Sequence, residues 1–349
     1  MAFYSYIFSA NYKRFFENLN KVAKKEKKNF LGLVFDTGYC VFRYGFGLTD
    51  YLNYQLYNKN SKERKKYVST RTENKFYETV SPSAHKKRFT IKPDFLADFK
   101  EFTKREFIVP KEGNYDEFNN FLDAHEVFMS KPYDGLGGAD VKKEYTINIQ
   151  DRKAYFENAI QHRIFLEEVV TQHPELNRLC EKSVNTMRII TFNDDGKPKI
   201  IWMGLRVGNG INSIDNFHAK GMAVNIDENT GKLNGNAIDK DLNEYDKHPV
   251  SHVKFDGFQI PCFDEAKKMV LDASLRSDKI LVVGWDVAIS DKGPIIIEGN
   301  RRPGFDLVQV LSGGRMDIVK DVLNCVKKKW QRKLNIIWRC KKCSAFFIV

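Results

Sequence analysis

Several familiar signatures are missing from this sequence, and each absence removes a class of function. There is no Gly-x-x-x-x-Gly-Lys-Ser/Thr, which excludes a P-loop, and no Gly-x-Gly-x-x-Gly after a strand, so a Rossmann site is not expected. Apolar runs stop short of the roughly 20 residues that cross a bilayer. Tyr12-Lys13-Arg14 interrupts the first of them, so no secretory leader is expected. Cysteine is sparse: Cys40, Cys180, Cys262, Cys325, Cys340 and Cys343 are scattered, which favours reduced thiols in the cytoplasm over a disulfide framework. Cys340-Lys-Lys-Cys343 has no second pair, and His248 and His252 lack cysteines at zinc-finger spacing, so zinc is not expected. Internal repeats and low-complexity linkers are absent too, and boundaries rest on changes of pattern.

What is present is length, apolar content and positive charge. The 349 residues exceed one typical domain, and 42% hydrophobic with 13% aromatic residues supply sizeable cores. A net charge of +12 favours anionic partners such as nucleotides, acidic glycans, anionic lipid or nucleic acid. The basic clusters Lys21–Lys28 and Lys327–Lys333 read as solvated helix faces. Docking on an anionic membrane, with Trp330 and Trp338 as anchors, is the alternative. Residues 1–88 read as a mainly helical module without recognisable chemistry, 89–325 as the functional domain, and 326–349 as a basic tail.

The chemistry concentrates in Val282–Gln309. Two apolar strands flank Asp291-Lys292-Gly293, which reads as a three-residue hairpin loop with Gly last. That loop pairs Ser290 with Pro294 and, counting back, Asp286 with Glu298. Alternation places Asp286, Glu298 and Asn300 on one face. Two carboxylates and an amide oxygen on apolar ground suit Mg²⁺, which keeps waters and binds substrate phosphates; ordinary polar edge positions are the other reading.

Upstream, Phe95, Phe99 and Phe102 recur at helical spacing, with Lys92 before them and Arg105 after, either of which reads as plain surface charge. A strand ending at Lys131 meets the glycine-rich loop Tyr133–Val141, where backbone N–H groups can approach a phosphate closely. Phe165–Val170 reads as a strand bearing Glu167 and Glu168. Ser183–Thr191 and Lys199–Val207 read as partner strands carrying Arg188 and Arg206. An arginine on apolar ground needs an anion, either a ligand or an internal salt bridge. The loop Ser213–Gly221 includes Asn216, His218 and Lys220; a lone histidine is more often structural than a base.

The segments SKPYDGLGGADV, EEVVTQHPELNRL, SVNTMRIITF, SIDNFHAKG and VGWDVAISDKGPIIIEGNRRPGFD, in this order, resemble the ATP-grasp superfamily. More narrowly they resemble its sugar-transfer-associated family and the related teichuronopeptide-biosynthesis proteins. The resemblance covers roughly residues 85–315. It implies an α+β fold in which two subdomains grip ATP, behind the helical module. On matching positions it implies that Lys131 and, more weakly, Lys92 contact nucleotide, since Ile91 replaces the usual acidic residue. Gly135, Gly137 and Gly138 would close over the phosphates. Glu167, Glu168, Val169 and Val170 would form the adenine-reading hinge. Arg188 would bind phosphate or an acyl phosphate, and Asp286, Glu298 and Asn300 would hold Mg²⁺. On the same resemblance, Arg206, Asn216, Lys220 and Arg302 would sit where an acidic substrate is held. The function implied is an ATP- and Mg²⁺-dependent ligase joining a sugar or glycan carboxylate to an amine in capsule or surface-polysaccharide biosynthesis. The alternatives are a sugar kinase and a non-catalytic protein binding glycan, membrane or RNA; no specific nucleic acid is expected.

Overall fold

Local signals start and stop the helices of the N-terminal segment. Asn29 caps Phe30–Tyr44 by accepting the Gly32 N–H at 2.9 Å, and Gly45 ends that helix in the left-handed region at φ +81°. Asn11 caps Tyr12–Lys25 in the same way, accepting from Arg14 N at 3.0 Å. The computed structural model describes residues 11–82, 87–135, 140–211, 217, 221–277 and 279–344, excepting the side chains of 330 and 332–344.

The chain forms two compact units: Met1–Thr79 with Phe192–Lys199 and Gly304–Val349, and Val80–Thr191 with Ile200–Pro303. In the first, Phe15, Leu19, Leu33, Cys40, Phe46 and Tyr51 are among the residues of one apolar core. Each such buried aromatic or leucine stabilises by roughly 1.5–3 kcal/mol. Asp36 is pinned inside this unit: Arg64 donates to both its oxygens at 2.8 and 2.7 Å, and the Tyr51 hydroxyl donates at 2.8 Å. The helix Met316–Ser344 runs from the expected functional domain into the expected tail.

The second unit is built on two sheets. The smaller has the order β1-β4-β2-β3, with β1 Phe107–Ile108, β2 Val127–Pro132, β3 Lys142–Tyr145 and β4 Ile164–Glu168. Its pairings β1–β4, β2–β3 and β2–β4 are antiparallel. The helices Tyr115–Ala124 and Arg152–Gln161 cover it, burying Phe118, Phe121 and Phe156 with Phe128 and Leu166 of the strands.

The larger sheet has the order β11-β10-β5-β6-β7-β8-β9. Its strands are β5 Thr186–Asp194, β6 Lys197–Val207, β7 Met222–Ile226, β8 Leu233–Asp239, β9 Glu244–Tyr245, β10 Val282–Ser290 and β11 Gly293–Asn300. β8 and β9 order part of a stretch that reads as irregular in the sequence, Gly235–Ile260. Every residue of β10 is buried, and Trp285 lies at the centre of the main core with its indole N–H on Thr191 Oγ1 at 2.8 Å. Phe95, Phe99 and Phe102 do face this core, but not from one helix: Phe95 and Phe102 lie on two short helices, Lys92–Asp98 and Lys100–Thr103, and Phe99 joins them.

The β10–β11 turn corrects the sequence reading. Ser290 pairs with Gly293, not Pro294, so the loop is Asp291-Lys292 alone. A bulge then gives β11 one extra residue, Ile297: Val287 faces Ile296, but Asp286 faces Glu298. The shorter turn and the bulge cancel, and the expected carboxyl pair survives.

Candidate active site

The site lies in the second unit and is assembled by alternation along three neighbouring strands. Thr186 and Arg188 share a face of β5, Arg206 projects from β6, and Asp286 from β10. Asp286 is 1% exposed and accepts from two arginines. Arg188 forks onto it, with Nε on Oδ1 and Nη2 on Oδ2, the latter at 3.2 Å. Arg206 Nη2 adds a bond to Oδ2 at 3.0 Å and another to Thr186 Oγ1 at 2.6 Å. Arg188 Nη1 also donates to the Pro303 carbonyl at 3.0 Å. Burial alone would raise the Asp286 pKa; the two guanidinium charges outweigh it and hold the carboxyl below its ordinary range.

Glu298 stands opposite in the ladder, with Asn300 two residues on donating Nδ2 to its Oε1 at 3.3 Å. Burial pushes the Glu298 pKa up and the Asp286 charge pushes it further, against the pull of Arg188 and Arg206. The two adjoining carboxyls are thus pushed apart in acidity, Asp286 downward and Glu298 upward. Gly284, opposite Asn300, makes room for this: a Cβ there would meet Pro303 Cβ at 2.4 Å and Arg188 Cδ at 3.4 Å.

A second group faces Glu298. Lys92 begins its helix with its backbone N–H on Tyr133 O at 2.8 Å and its ammonium on Gly135 O at 3.0 Å. Burial lowers its pKa; Glu298 raises it and Lys131 lowers it further, with Asp134 and Glu167 also in range. Lys131, on β2, forms an ion pair with the buried Glu167 of β4. Arg105 closes the other side, its Nη2 3.5 Å from Glu167 Oε2 and 3.1 Å from the carbonyl of Ile297, the bulge residue. Burial would raise the Glu167 pKa, but Arg105 and Lys131 together hold it low.

The structure thus gathers Lys92, Lys131, Glu167, Arg188, Arg206, Asp286, Glu298 and Asn300 into one network. Its five cations, Arg105 included, exceed its three carboxyls. Arg188 and Arg206 do make the internal salt bridge that was one of their two readings. Glu168 ends β4, where its backbone N–H bonds Glu106 O at 2.9 Å, and Val169 and Val170 follow the strand half-buried. Arg302 is exposed just past β11. Gly137, Gly138, Asn216, His218 and Lys220 lie outside the described residues.

Sequence reasoning missed Arg105 and Thr186. Arg105 is 4% exposed rather than a surface charge, and nothing in its neighbourhood of aromatic and charged residues marks it. Thr186 was legible, being two residues before Arg188 on the same strand face. Other polar residues of the same motifs are structural. Gln172 accepts the Asn185 N–H at 2.6 Å and donates to Cys180 O at 2.9 Å, while Asn185 donates to Leu176 O at 3.1 Å. His248 donates Nε2 to Gly208 O at 2.9 Å and caps the Val250 and Ser251 N–H groups through Nδ1.

Asp286, Glu298 and Asn300 are hard oxygen donors from one hairpin face, a donor set that fits Mg²⁺. Among the described residues no group of three or more His, Cys, Asp or Glu could hold a metal, so this reading rests on two carboxyls and an amide oxygen.

A family model described as sugar-transfer associated ATP-grasp matches residues 56–322. No curated protein matches the sequence. Among solved structures, the ATP-grasp ligase PsnB complexed with minimal precursor is similar at 14% identity, over 71% of this chain and 64% of that one, with a TM-score of 0.44. The D-alanine-D-alanine ligase from Coxiella burnetii is similar at 9% identity, over 73% and 63%, with a TM-score of 0.44. The D-cycloserine synthetase DcsG is similar at 12% identity, over 70% and 73%, with a TM-score of 0.43. The match to the first two spans less than two thirds of their own length.

Proposed function

The chain belongs to the sugar-transfer associated ATP-grasp family, and from that premise we propose that it is an ATP- and Mg²⁺-dependent ligase joining a carboxylate to an amine. The observation that carries the reading is the Asp286–Glu298 pair set in a network of five cations, with Lys92 in electrostatic range of Glu298 and of Lys131. A protein that only binds glycan, membrane or RNA has no use for a buried and a half-buried carboxyl brought together at such electrostatic expense. The carboxylate is that of an acidic sugar or glycan, and the setting is capsule or surface-polysaccharide assembly in the cytoplasm. The family's association with sugar transfer and the net charge of +12 support this choice.

Asp286, Glu298 and Asn300 would hold the metal, which when bound neutralises phosphate charge and polarises the transferred group. Lys92 and Lys131 hold the triphosphate through charged hydrogen bonds, with the backbone at Gly135 beside it. Arg188 is fixed by Asp286 and the Pro303 carbonyl, so it can meet charge developing on the phosphoryl group without first reorganising. A substrate carboxylate oxygen attacks the γ-phosphorus, the bond to the bridging oxygen of ADP breaks, and an acyl phosphate forms. The amine nitrogen then attacks the acyl carbon and loses a proton, and phosphate leaves carrying the original carboxylate oxygen.

That oxygen gives the test. The protein is supplied with ATP, an amine and a uronic-acid glycan labelled with heavy oxygen in its carboxylate. One label per turnover in the released phosphate is expected. Phosphate retained on a sugar hydroxyl, with ADP as the other product, identifies a kinase and overturns the ligase reading.

A further inference from the structure

We propose that the outer face of the helix Phe30–Tyr44 is a membrane-docking surface that lies among the headgroups of an anionic bilayer. A surface helix ordinarily turns polar residues outward. This one carries apolar residues outward as well as inward. Its buried positions are Leu33, Thr37, Cys40 and Val41, and its one acidic residue, Asp36, is held by Arg64 and Tyr51. Its outward positions are Leu31, Phe35, Tyr39 and Phe42, of which Leu31, Phe35 and Phe42 are 64%, 78% and 76% exposed. At about 100° per residue these four fall within a sector of about 80°, a single stripe along the helix. Phe16, 40% exposed on the neighbouring helix Tyr12–Lys25, adds a further ring beside this helix, 6.5 Å from that of Phe30. Apart from Tyr39, no stripe side chain can make a hydrogen bond, so it fits a partner that demands no polar register.

Charge decides what that partner is. Residues 11–45 carry eight Lys or Arg against Glu17, Glu26 and Asp36. Exposed Lys24, Lys25 and Lys27 precede the stripe, and exposed Arg43 adjoins Phe42 at its far end. Aromatic rings bordered by uncompensated cations are the signature of a helix lying in the interface of an anionic membrane. A second copy of the chain seated on the same face would bring two such basic borders together, which repels. The helix holds only 15 residues, and among the described residues no helix is long and apolar enough to cross a membrane, so the contact is peripheral.

The test uses the full chain and vesicles of phosphatidylcholine alone, or of equal parts phosphatidylcholine and phosphatidylglycerol. Co-sedimentation with the anionic vesicles only, weakening as salt rises, is expected. Phe35→Ser with Phe42→Ser should lower partitioning roughly a hundredfold, about tenfold per ring withdrawn from the bilayer. The unfolding temperature should not fall, because both rings are exposed in the folded protein. Equal binding to both vesicle types, or unchanged binding of the double variant, overturns the proposal. So does self-association that the double variant abolishes, which assigns the face to a second copy. Emission of Phe35→Trp that is already blue-shifted without lipid also overturns it, since another part of the chain then covers the face.

Discussion

Asp286 is both a candidate metal ligand and the anion that neutralises two arginines within a buried network, so its substitution separates poorly into chemistry and folding. Asp286→Asn leaves Arg188 and Arg206 without their carboxylate, and removing one partner of a buried ion pair costs about 3–5 kcal/mol. Glu298→Gln is the cleaner probe. Glu298 faces Asp286 across the ladder, so a neutral amide there removes a like charge from beside Asp286 rather than a counter-ion from the arginines. We expect Glu298→Gln to reduce turnover by on the order of 10²–10³ with a change in urea midpoint far smaller than that of Asp286→Asn. Equal losses of stability in the two would show that Glu298, too, is chiefly structural. Glu167 supplies a pH dependence. Its folded-state pKa is depressed, burial being outweighed by Arg105 and Lys131, so its stabilisation is present above the unfolded value. That stabilisation is lost as pH falls from about 4 through the folded value. Glu167→Gln should cost about 3 kcal/mol at neutral pH and flatten the acid limb of stability measured by urea unfolding. An acid limb as steep as the parent's would remove Glu167 as its source.

At the scale of the element, the hairpin β10–β11 shows why the site was more legible than the fold around it. The period-two alternation of Glu298 and Asn300 and the pairing with Asp286 depend only on the net register. The Asp291-Lys292 loop is one residue shorter than read, the bulge at Ile297 adds one back, and the register is unchanged. Arg105 was not legible because it reaches the site across long sequence separation, bonding the bulge carbonyl and Glu167. The helix Phe30–Tyr44 was half legible: its apolar residues are plain in the sequence, but which of them face outward follows only from packing. Gly284 carries the element's own prediction. Its φ is unremarkable, so the constraint is space rather than backbone freedom, with Pro303 Cβ 2.4 Å and Arg188 Cδ 3.4 Å from an added Cβ. Gly284→Ala should therefore destabilise by about 1–3 kcal/mol through overpacking and displace the Arg188 fork from Asp286. Turnover should fall more than KM rises, because Arg188 acts on charge that develops in the transition state. A change in KM alone would place the disturbance at substrate binding instead.

At the scale of the whole molecule, the proposed function predicts a linkage that needs no substrate identity. Only the second unit carries the network of Lys92, Lys131 and the hairpin carboxyls, and a ligand that binds the folded state alone stabilises it by mass action. A non-hydrolysable ATP analogue at about a hundredfold excess over its Kd contributes about 2.7 kcal/mol, a rise of a few degrees in Tm for a chain of this size. Because two adjoining carboxyls repel a polyphosphate unless a cation lies between, the rise should need Mg²⁺ together with the analogue and vanish with a chelator. Lys131→Ala should abolish most of it, losing a charged hydrogen bond worth about 1.5–3 kcal/mol. The same substitution deprives buried Glu167 of a partner, so the ligand-free Tm falls as well. The quantity that tests the assignment is therefore the ligand-induced shift in each variant, measured by calorimetry, and not the Tm itself. A full shift in Lys131→Ala would take Lys131 out of the nucleotide site and leave it as the counter-ion of Glu167. A shift that persists in the chelator would do the same to the metal assignment of Asp286, Glu298 and Asn300.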